Sequence, residues 1–388
     1  MIERSTRKQS AVGYFGLVRS NPNFRALWFG QVISLFGDWF NLIASATLIS
    51  QITQSGLAVG GLFVVRMLAP FLVSPIAGIA ADRYNRKWLL ILADLLRATV
   101  VLGFLLVRQP QDAWLLYSLT AIQLAISGFF FPARNSILPD IVSARELGAA
   151  NALSSATWSV MLALGAALGG IVAGQWGIYP AFVIDSFTFL LSATFIAQIR
   201  YSYSTSKTQR DTSIRSAFQE YIAGLHYLKK EPDILSIALH KGAMALVIGG
   251  AFQVIQVALA ERVYVIGEGG GTSLGLLYAV AGLGTGFGPI LARYLTEDQE
   301  NKLRFALTIS YAISISGLAI SAPLFNFWVV LLGSLVRTIG GGINWVFSTQ
   351  LLMQLIPNQV RGRVFSTEFA LFTLANAIGT AIGGWALD

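Results

Sequence analysis

Seven ionisable residues stand inside long apolar stretches of this chain: Asp38, Arg66, Asp94, Arg97, Asp185, Lys241 and Arg337. A charge at a bilayer centre costs roughly 2.5–3.5 kcal/mol on insertion scales, so each must find a partner or face a polar cavity. The chemistry such groups can do is proton uptake and release. Asp38 lies roughly 21 Å into the first apolar run and Arg66 roughly 18 Å into the second, counting about 1.5 Å per residue from the same face, so the two share a depth near the middle. Desolvation and a nearby guanidinium act on a carboxyl in opposite senses, so a cavity that moves around the pair could load and release a proton at Asp38, with Arg66 as its modulator and Asn41 beside it. A cationic or neutral amphipathic substrate would compete for the same acid. A permanent buried pair is the structural alternative.

The other intramembrane charges divide similarly. Asp94 and Arg97 are an i, i+3 pair able to satisfy each other, which makes them a structural pair. Asp185 falls toward the outer side of its run, Lys241 toward the inner side and Arg337 close to the middle; each is a candidate for coupling or for the substrate cavity, or else a contact that stabilises the bundle. Glu368 is one turn into the last run and is read as part of a latch at the cytoplasmic end. Enzyme chemistry finds no support. There is no cysteine, and two histidines, His226 and His240, are too few for a His-built metal site. The run G-L-G-T-G-F-G at 282–288 follows no strand and no G-K-[ST] occurs, so small-residue helix packing explains it better than a nucleotide loop. No cofactor is expected.

The elements that must carry these charges follow from composition. The 388 residues are 55% hydrophobic and 12% charged, with mean hydropathy +0.64, whereas soluble domains carry about 25% charge. This is a polytopic, all-α membrane protein. Spans of about 20 apolar residues fall at 24–50, 56–78, 88–107, 113–133, 149–174, 178–199, 233–260, 272–292, 303–322, 325–348 and 366–387. The first exceeds the apolar core of a signal peptide and is read as an uncleaved span. Of the 27 Lys and Arg, 21 fall before the first span or in loops after even-numbered spans. The positive-inside rule therefore places the N-terminus in the cytoplasm. The same alternation explains the net charge of +8 without nucleic acid.

One long polar stretch, 201–232, separates residues 1–200, with six spans, from 233–388, with five. Within it 213–230 reads as an amphipathic helix on the membrane surface. The two parts repeat: Pro22, Gly78 and Arg83-Tyr84 fall on Pro232, Gly288 and Arg293-Tyr294 at a constant offset of 210 residues. Such parallel repeats are the sequence form of two pseudo-symmetric bundles. In the fifth span Gly165, Gly169 and Gly170 allow close backbone approach. Aromatics at Trp28, Phe36, Trp39, Phe40, Phe129, Phe130, Trp345 and Phe347, with Gln31, Gln123 and Asn344 nearby, suit a cavity for bulky amphipathic compounds.

Between the second and third spans, Gly78 to Trp88 reads G-I-A-A-D-R-Y-N-R-K-W, a charged hairpin between apolar runs. The pattern G-x-x-x-D-R-x-x-R-K resembles the loop that marks the major facilitator superfamily. F-R-A-L-W-F-G-Q-V-I-S-L-F-G-D-W (24–39), A-D-L-L-R-A (93–98), F-F-P-A-R-N-S-I-L-P-D-I-V (130–142), F-V-I-D-S-F-T-F-L-L-S-A (182–193) and R-G-R-V-F-S (361–366) narrow the resemblance to the branch of macrolide-efflux proteins and enterobactin-type siderophore exporters.

The resemblance implies a twelve-helix bundle, of which eleven spans are present here and the twelfth would be missing. It implies a bacterial inner-membrane efflux permease, monomeric, exchanging protons for an amphipathic small molecule such as a drug, macrolide or siderophore. A solute importer or lysophospholipid flippase on the same fold is the alternative, since Ala166 departs from the G-P-x-x-G-G of antiporter-type members. It further implies a conformational latch built from Gly78, Asp82, Arg83, Arg86 and Lys87, with Asp82 capping a helix of the second bundle near 363–366. Ala292 stands at the repeat position of Asp82, so the latch is expected on one side only, and Glu297, Asp298 and Glu300 read as a solvated loop.

Overall fold

The computed structural model of this chain describes residues 14–143, 146–200, 219, 222, 225–297 and 299–388, the side chains of residues 14, 74, 75, 78, 79, 82, 83, 148, 151, 152, 155, 159, 358, 359, 361–363 and 366 excepted. A short helix α1 (Tyr14–Ser20) leads into α2 (Pro22–Thr53), α3 (Gly56–Arg83), α4 (Arg86–Leu102), α5 (Ala113–Ile141), α6 (Leu147–Gln175) and α7 (Ile178–Ala197). The second series is α8 (Pro232–Val263), α9 (Gly271–Thr296), α10 (Glu300–Ser321), α11 (Phe327–Leu355) and α12 (Asn358–Leu387). Among the described residues eleven helices, α2 to α12, are long and apolar enough to cross a membrane. Among the described residues there are no strands.

Helix ends obey local chemistry. The Asn21 side chain accepts from the Phe24 N–H at 3.0 Å with Pro22 at the first helical position, which starts α2. Ser55, Asn85 and Asn326 cap α3, α4 and α11 in the same way. Helices α2 and α8 begin at prolines 210 residues apart and are both 32 residues long, so the sequence repeat is a structural repeat. Several helices outrun their apolar cores: α5 continues to Ile141 through Pro132 and Pro139, and α11 to Leu355. Helix α8 contains two π-helical segments, Ala245–Gly249 and Leu259–Val263, which rotate the face it presents.

In the first bundle α2 packs on α6 and α7, α3 on α5, and α4 on α5 and α7; in the second α8 packs on α11 and α12, and α11 on α9 and α10. Two helix pairs make the largest contacts between the bundles, α6 with α9 and α3 with α12, and smaller ones join α2 and α3 to α8 and α2 to α9. The first is a backbone-to-backbone contact: a Cβ on Gly275 would lie 2.6 Å from the Gly170 Cα and 2.6 Å from the Ala166 carbonyl oxygen. Only glycine permits that approach. The stripe in α6 therefore has two uses, because Gly165 and Gly169 face Trp39 and Phe40 of α2 while Gly170 faces the other bundle.

The end away from the basic loops is sealed. A Cβ on Gly56 would lie 2.7 Å from the Leu387 Cβ, and one on Gly60 would lie 3.0 Å from the Thr380 carbonyl. The Asp388 carboxylate accepts from the Ser55 hydroxyl at 2.8 Å and from the Gly56 and Leu57 N–H groups at 2.6 and 3.0 Å. These donors, led by Ser55, hold its carboxyl below the usual range. Arg262 donates to the Gln54 carbonyl at 2.9 Å, again across the bundles.

Candidate functional site

The charges of the first bundle converge at mid-depth. Arg97 of α4 forms an ion pair with Asp94 one turn earlier and reaches Asp38 of α2 at 3.8 Å. It also donates to the Ser127 hydroxyl of α5 at 3.1 Å. Its guanidinium lies over two rings, 4.1 Å from the Phe189 centroid and 4.8 Å from that of Phe130. Aromatic rings together with carboxylates are what a desolvated guanidinium requires. Asp94 is fully buried, whereas the Asp38 side chain keeps 26% of its surface open.

Arg66 of α3 is the second guanidinium acting on Asp38, but the ion pair within 4 Å belongs to Arg97. The sequence placed Asp38 with Arg66; the structure adds Arg97 because α2 and α4 both pack against α7, whose Phe189 floors the site. Asp185 of α7 completes the cluster. It is fully buried, and it lies directly across from Gly37, which has no side chain to exclude it. Asp185 is thus at the depth of Asp38, not nearer the outer face. Asn41, one turn along α2, is its polar neighbour and accepts from Ser45 at 3.2 Å. Three carboxylates and two guanidiniums therefore occupy one buried region, and their charges do not cancel.

The second bundle meets this cluster with Tyr278 of α9. Its ring is 5.8 Å from that of Trp39 on α2, and its hydroxyl has Gln256 of α8 as a hydrogen-bond partner. Arg66 and Arg337 are the two cations acting on that phenol, one from each bundle. Arg337 of α11 stacks on the Phe252 ring of α8 at 3.9 Å. Neither Tyr278 nor Gln256 stands out in the sequence. A hydroxyl in an apolar span is the one available signal, and it does not reveal which side the residue faces.

Lys241 sits elsewhere, in a closed pair. It bonds Glu368 of α12 at 2.9 Å and the Thr349 hydroxyl at 2.7 Å, and it lies 4.5 Å from the Trp345 ring. Both side chains are buried. Glu368 therefore joins α12 to α8 inside the second bundle. Of the expected cavity aromatics, Phe40 and Phe347 are core, Trp28 donates to the Thr157 hydroxyl at 2.8 Å, and Phe130 and Trp345 serve cations. A cleft of about 290 Å³ opens between α9 and α11, lined by Thr285, Gly286, Pro289, Ile290, Arg293, Val346, Phe347 and Gln350.

In the charged hairpin, Arg86 donates to the Ala81 and Ser136 carbonyls at 3.1 Å and pairs with Asp140 at 2.5 Å, binding α4 to α3 and α5 within the first bundle. The Lys87 N–H donates to the Asn85 cap at 3.1 Å. The side chains at Gly78, Asp82 and Arg83 lie outside the described residues, as do those of 361–363 and Ser366 and most of the 213–230 segment. The last turns of that segment, 225–230, are helical, and Leu228 is buried in the core of the second bundle with Ile234, Leu303 and Leu351.

Eleven apolar helices in two repeated bundles, with a charge cluster buried at mid-depth of the first, define a polytopic membrane transporter. Residues 27–384 match the model of the Major Facilitator Superfamily, and the chain belongs to that family. It is 28% identical over 384 residues to the MFS-type transporter YfiS of Bacillus subtilis (strain 168), covering 95% of this chain and 87% of that protein. Identity to the putative bacilysin exporter BacE of the same strain is 24%, over 92% of this chain and 87% of BacE. For the enterobactin exporter EntS of Escherichia coli O6:K15:H31 it is 25%, over 97% and 87%. Among solved structures, a bacterial homologue of the human lysosomal transporter Spinster, inward-facing and unoccupied, superposes with TM-score 0.71 at 18% identity, over 94% of this chain and 82% of that one. At that identity the likeness concerns the fold.

Proposed function

We propose that this protein is a proton-coupled exporter of an amphipathic small molecule, with its N-terminus and basic loops in the cytoplasm of a bacterial cell and with Asp38 as the proton carrier. The observation that carries the reading is the surplus carboxylate: Asp38, Asp94 and Asp185 stand against Arg66 and Arg97. Arg97 is committed to the buried Asp94, and Asp38 is the most open of the acids in its ion pairs. A bare surplus charge is costly there, and a proton that enters from one side and leaves to the other removes that cost while turning the cycle. Alternating access supplies the change, as the bundles rock about the site and the seal along α3–α12 and α6–α9 opens while the opposite end closes. A latch at Asp82 would hold that opposite end. The relatives named as exporters support the direction of transport.

The test is substrate-stimulated proton movement in proteoliposomes containing the purified protein and a trapped pH dye, challenged with a panel of amphipathic dyes, macrolides and catecholates. Uptake of a compound opposite to proton flux is expected. Flux of compound and protons in the same direction would replace the exporter by an importer, and transport indifferent to pH would remove the proton.

A further inference from the structure

Arg337 is a cation of the second bundle, about 15 Å along α11 from Phe327. The other cations near its depth have anions acting on them: Arg97 has Asp94 and Asp38, Arg66 has Asp38 and Asp185, and Lys241 has Glu368. Arg134, with Asn135 as its hydrogen-bond partner, lies within two turns of the end of α5. Among the described residues no carboxylate lies within ion-pair distance of Arg337, and the titratable group acting on it is the neutral phenol of Tyr278. Its Nε is buried and has no hydrogen-bond partner. The Arg66 guanidinium, which also acts on Tyr278, likewise has one nitrogen, Nη1, buried and unpartnered.

The surrounding helices fix where the Arg337 side chain can act. A Cβ on Gly317 of α10 would lie 2.7 Å from the Arg337 Cα, so α11 is pressed against α10 at this height and its side chain extends away, onto Phe252. A guanidinium stacked on a ring keeps its N–H groups in its own plane, along the ring face and available to an acceptor at the edge. Arg66 and Arg337 are each partly open. Trp39, Phe252 and Tyr278 supply apolar walls beside them. Structural arginines at such depth end on carboxylates or carbonyls; this one ends on an aromatic wall with donors unspent.

We propose that Arg337, together with Tyr278 and Arg66 across the bundle interface, seats an anionic group of the transported molecule, a carboxylate or comparable oxyanion on an amphipathic body. The proposal rests on the exporter reading and names its substrate class. It also gives the two bundles opposite roles. Asp38 in the first holds the proton, and Arg337 in the second holds the anion, so loading of each is felt through Tyr278.

The experiment uses the full chain in lipid nanodiscs and a matched pair of fluorescent probes, 7-diethylaminocoumarin-3-carboxylate and its carboxamide. The carboxylate should bind the parent about tenfold more tightly than the amide, as a charge-assisted bond exceeds a neutral one by at least that factor. Arg337→Gln should abolish the preference for the carboxylate over the amide, its folding being checked by its melting temperature and monodisperse elution; Arg337→Lys should restore part of it. A variant-free measurement runs beside this: phenylglyoxal modification of Arg337 in the parent should be slowed by the carboxylate and not by the amide. Equal binding of the two probes, binding of neither, an Arg337→Gln protein that keeps the preference, or modification that ignores the carboxylate would each overturn the anion seat. Proton movement driven by other compounds in proteoliposomes would still stand in those cases, so the seat can fail while the exporter survives. Competition of the bound coumarin by hexanoate or by hexyl phosphate tells a carboxylate site from a phosphate site, and either supports the proposal.

Discussion

Asp38 on α2 and Arg97 on α4 meet at 3.8 Å, although Arg97 is already paired with Asp94 on its own helix. The guanidinium is therefore shared between a closed, fully buried carboxylate and a more open one. That asymmetry separates the structural acid from the exchangeable one: removing Asp94 strips the Arg of its main partner, while removing Asp38 leaves the local pair intact.

The Asp38→Asn protein is accordingly expected to reach the membrane at parental levels, because the Asp94–Arg97 pair stays intact, and to lose uphill transport together with its pH dependence. Vesicle assays across a pH series check this. Failure to accumulate in the membrane, or pumping equal to the parent, removes Asp38 as carrier, and Asp185 is tested next.

Arg97→Met should behave oppositely. It leaves Asp94 buried without a counterion and should cost about 3–5 kcal/mol, visible as a lower melting temperature of the purified protein. Adding Asp94→Leu should recover most of the loss. If the single variant melts like the parent, the Arg97 pair is not structural.

Lys241 and Glu368 form the corresponding closed pair of the second bundle, 2.9 Å apart and both buried. Either single apolar replacement should destabilise by about 3–5 kcal/mol, and Lys241→Met with Glu368→Leu together should restore stability to near the parent. Transport should survive in the double variant. Loss of proton coupling in a stable double variant would instead return Lys241 to the coupling site.

The glycine seam between α6 and α9 predicts a conformational effect. The chain has no cysteine, so a Gly56→Cys, Leu387→Cys pair reports the sealed end; the two helices approach more closely here than the roughly 3.5–4.5 Å Cβ separation of a disulfide, so the pair should cross-link on oxidation after a small backbone shift. Gly170→Leu would drive a side chain into Gly275, so it should slow that cross-link severalfold and bias the protein toward the state in which this end is open. An unchanged cross-linking rate would show that the seam does not hold the seal.

Much of this architecture is written locally. The eleven spans follow from hydropathy and length, the helix starts from Asn21, Ser55, Asn85 and Asn326 beside apolar runs, and the repeat from prolines 210 residues apart. Asp94 and Arg97 are legible as a pair because i, i+3 neighbours on a helix meet whatever surrounds them. The hairpin motif and the flanking runs place the chain in its family for the same reason, since they are contiguous patterns.

The tertiary structure decided everything that depends on which face of a helix meets which neighbour. Transmembrane helices are apolar nearly all round, so their periodicity does not single out a bundle face as it does in a soluble helix. Hence Asp38 finds Arg97 as well as Arg66, Glu368 pairs with Lys241 inside its own bundle, and Asp185 descends to the level of Gly37. Tyr278, unremarked in the sequence, comes under the influence of both Arg66 and Arg337 because α9 is drawn against α6 by a glycine contact that hydropathy does not register. Composition and spacing determined that charges lie buried in two repeated bundles; their assembly into one site came from backbone approach and packing across the interface.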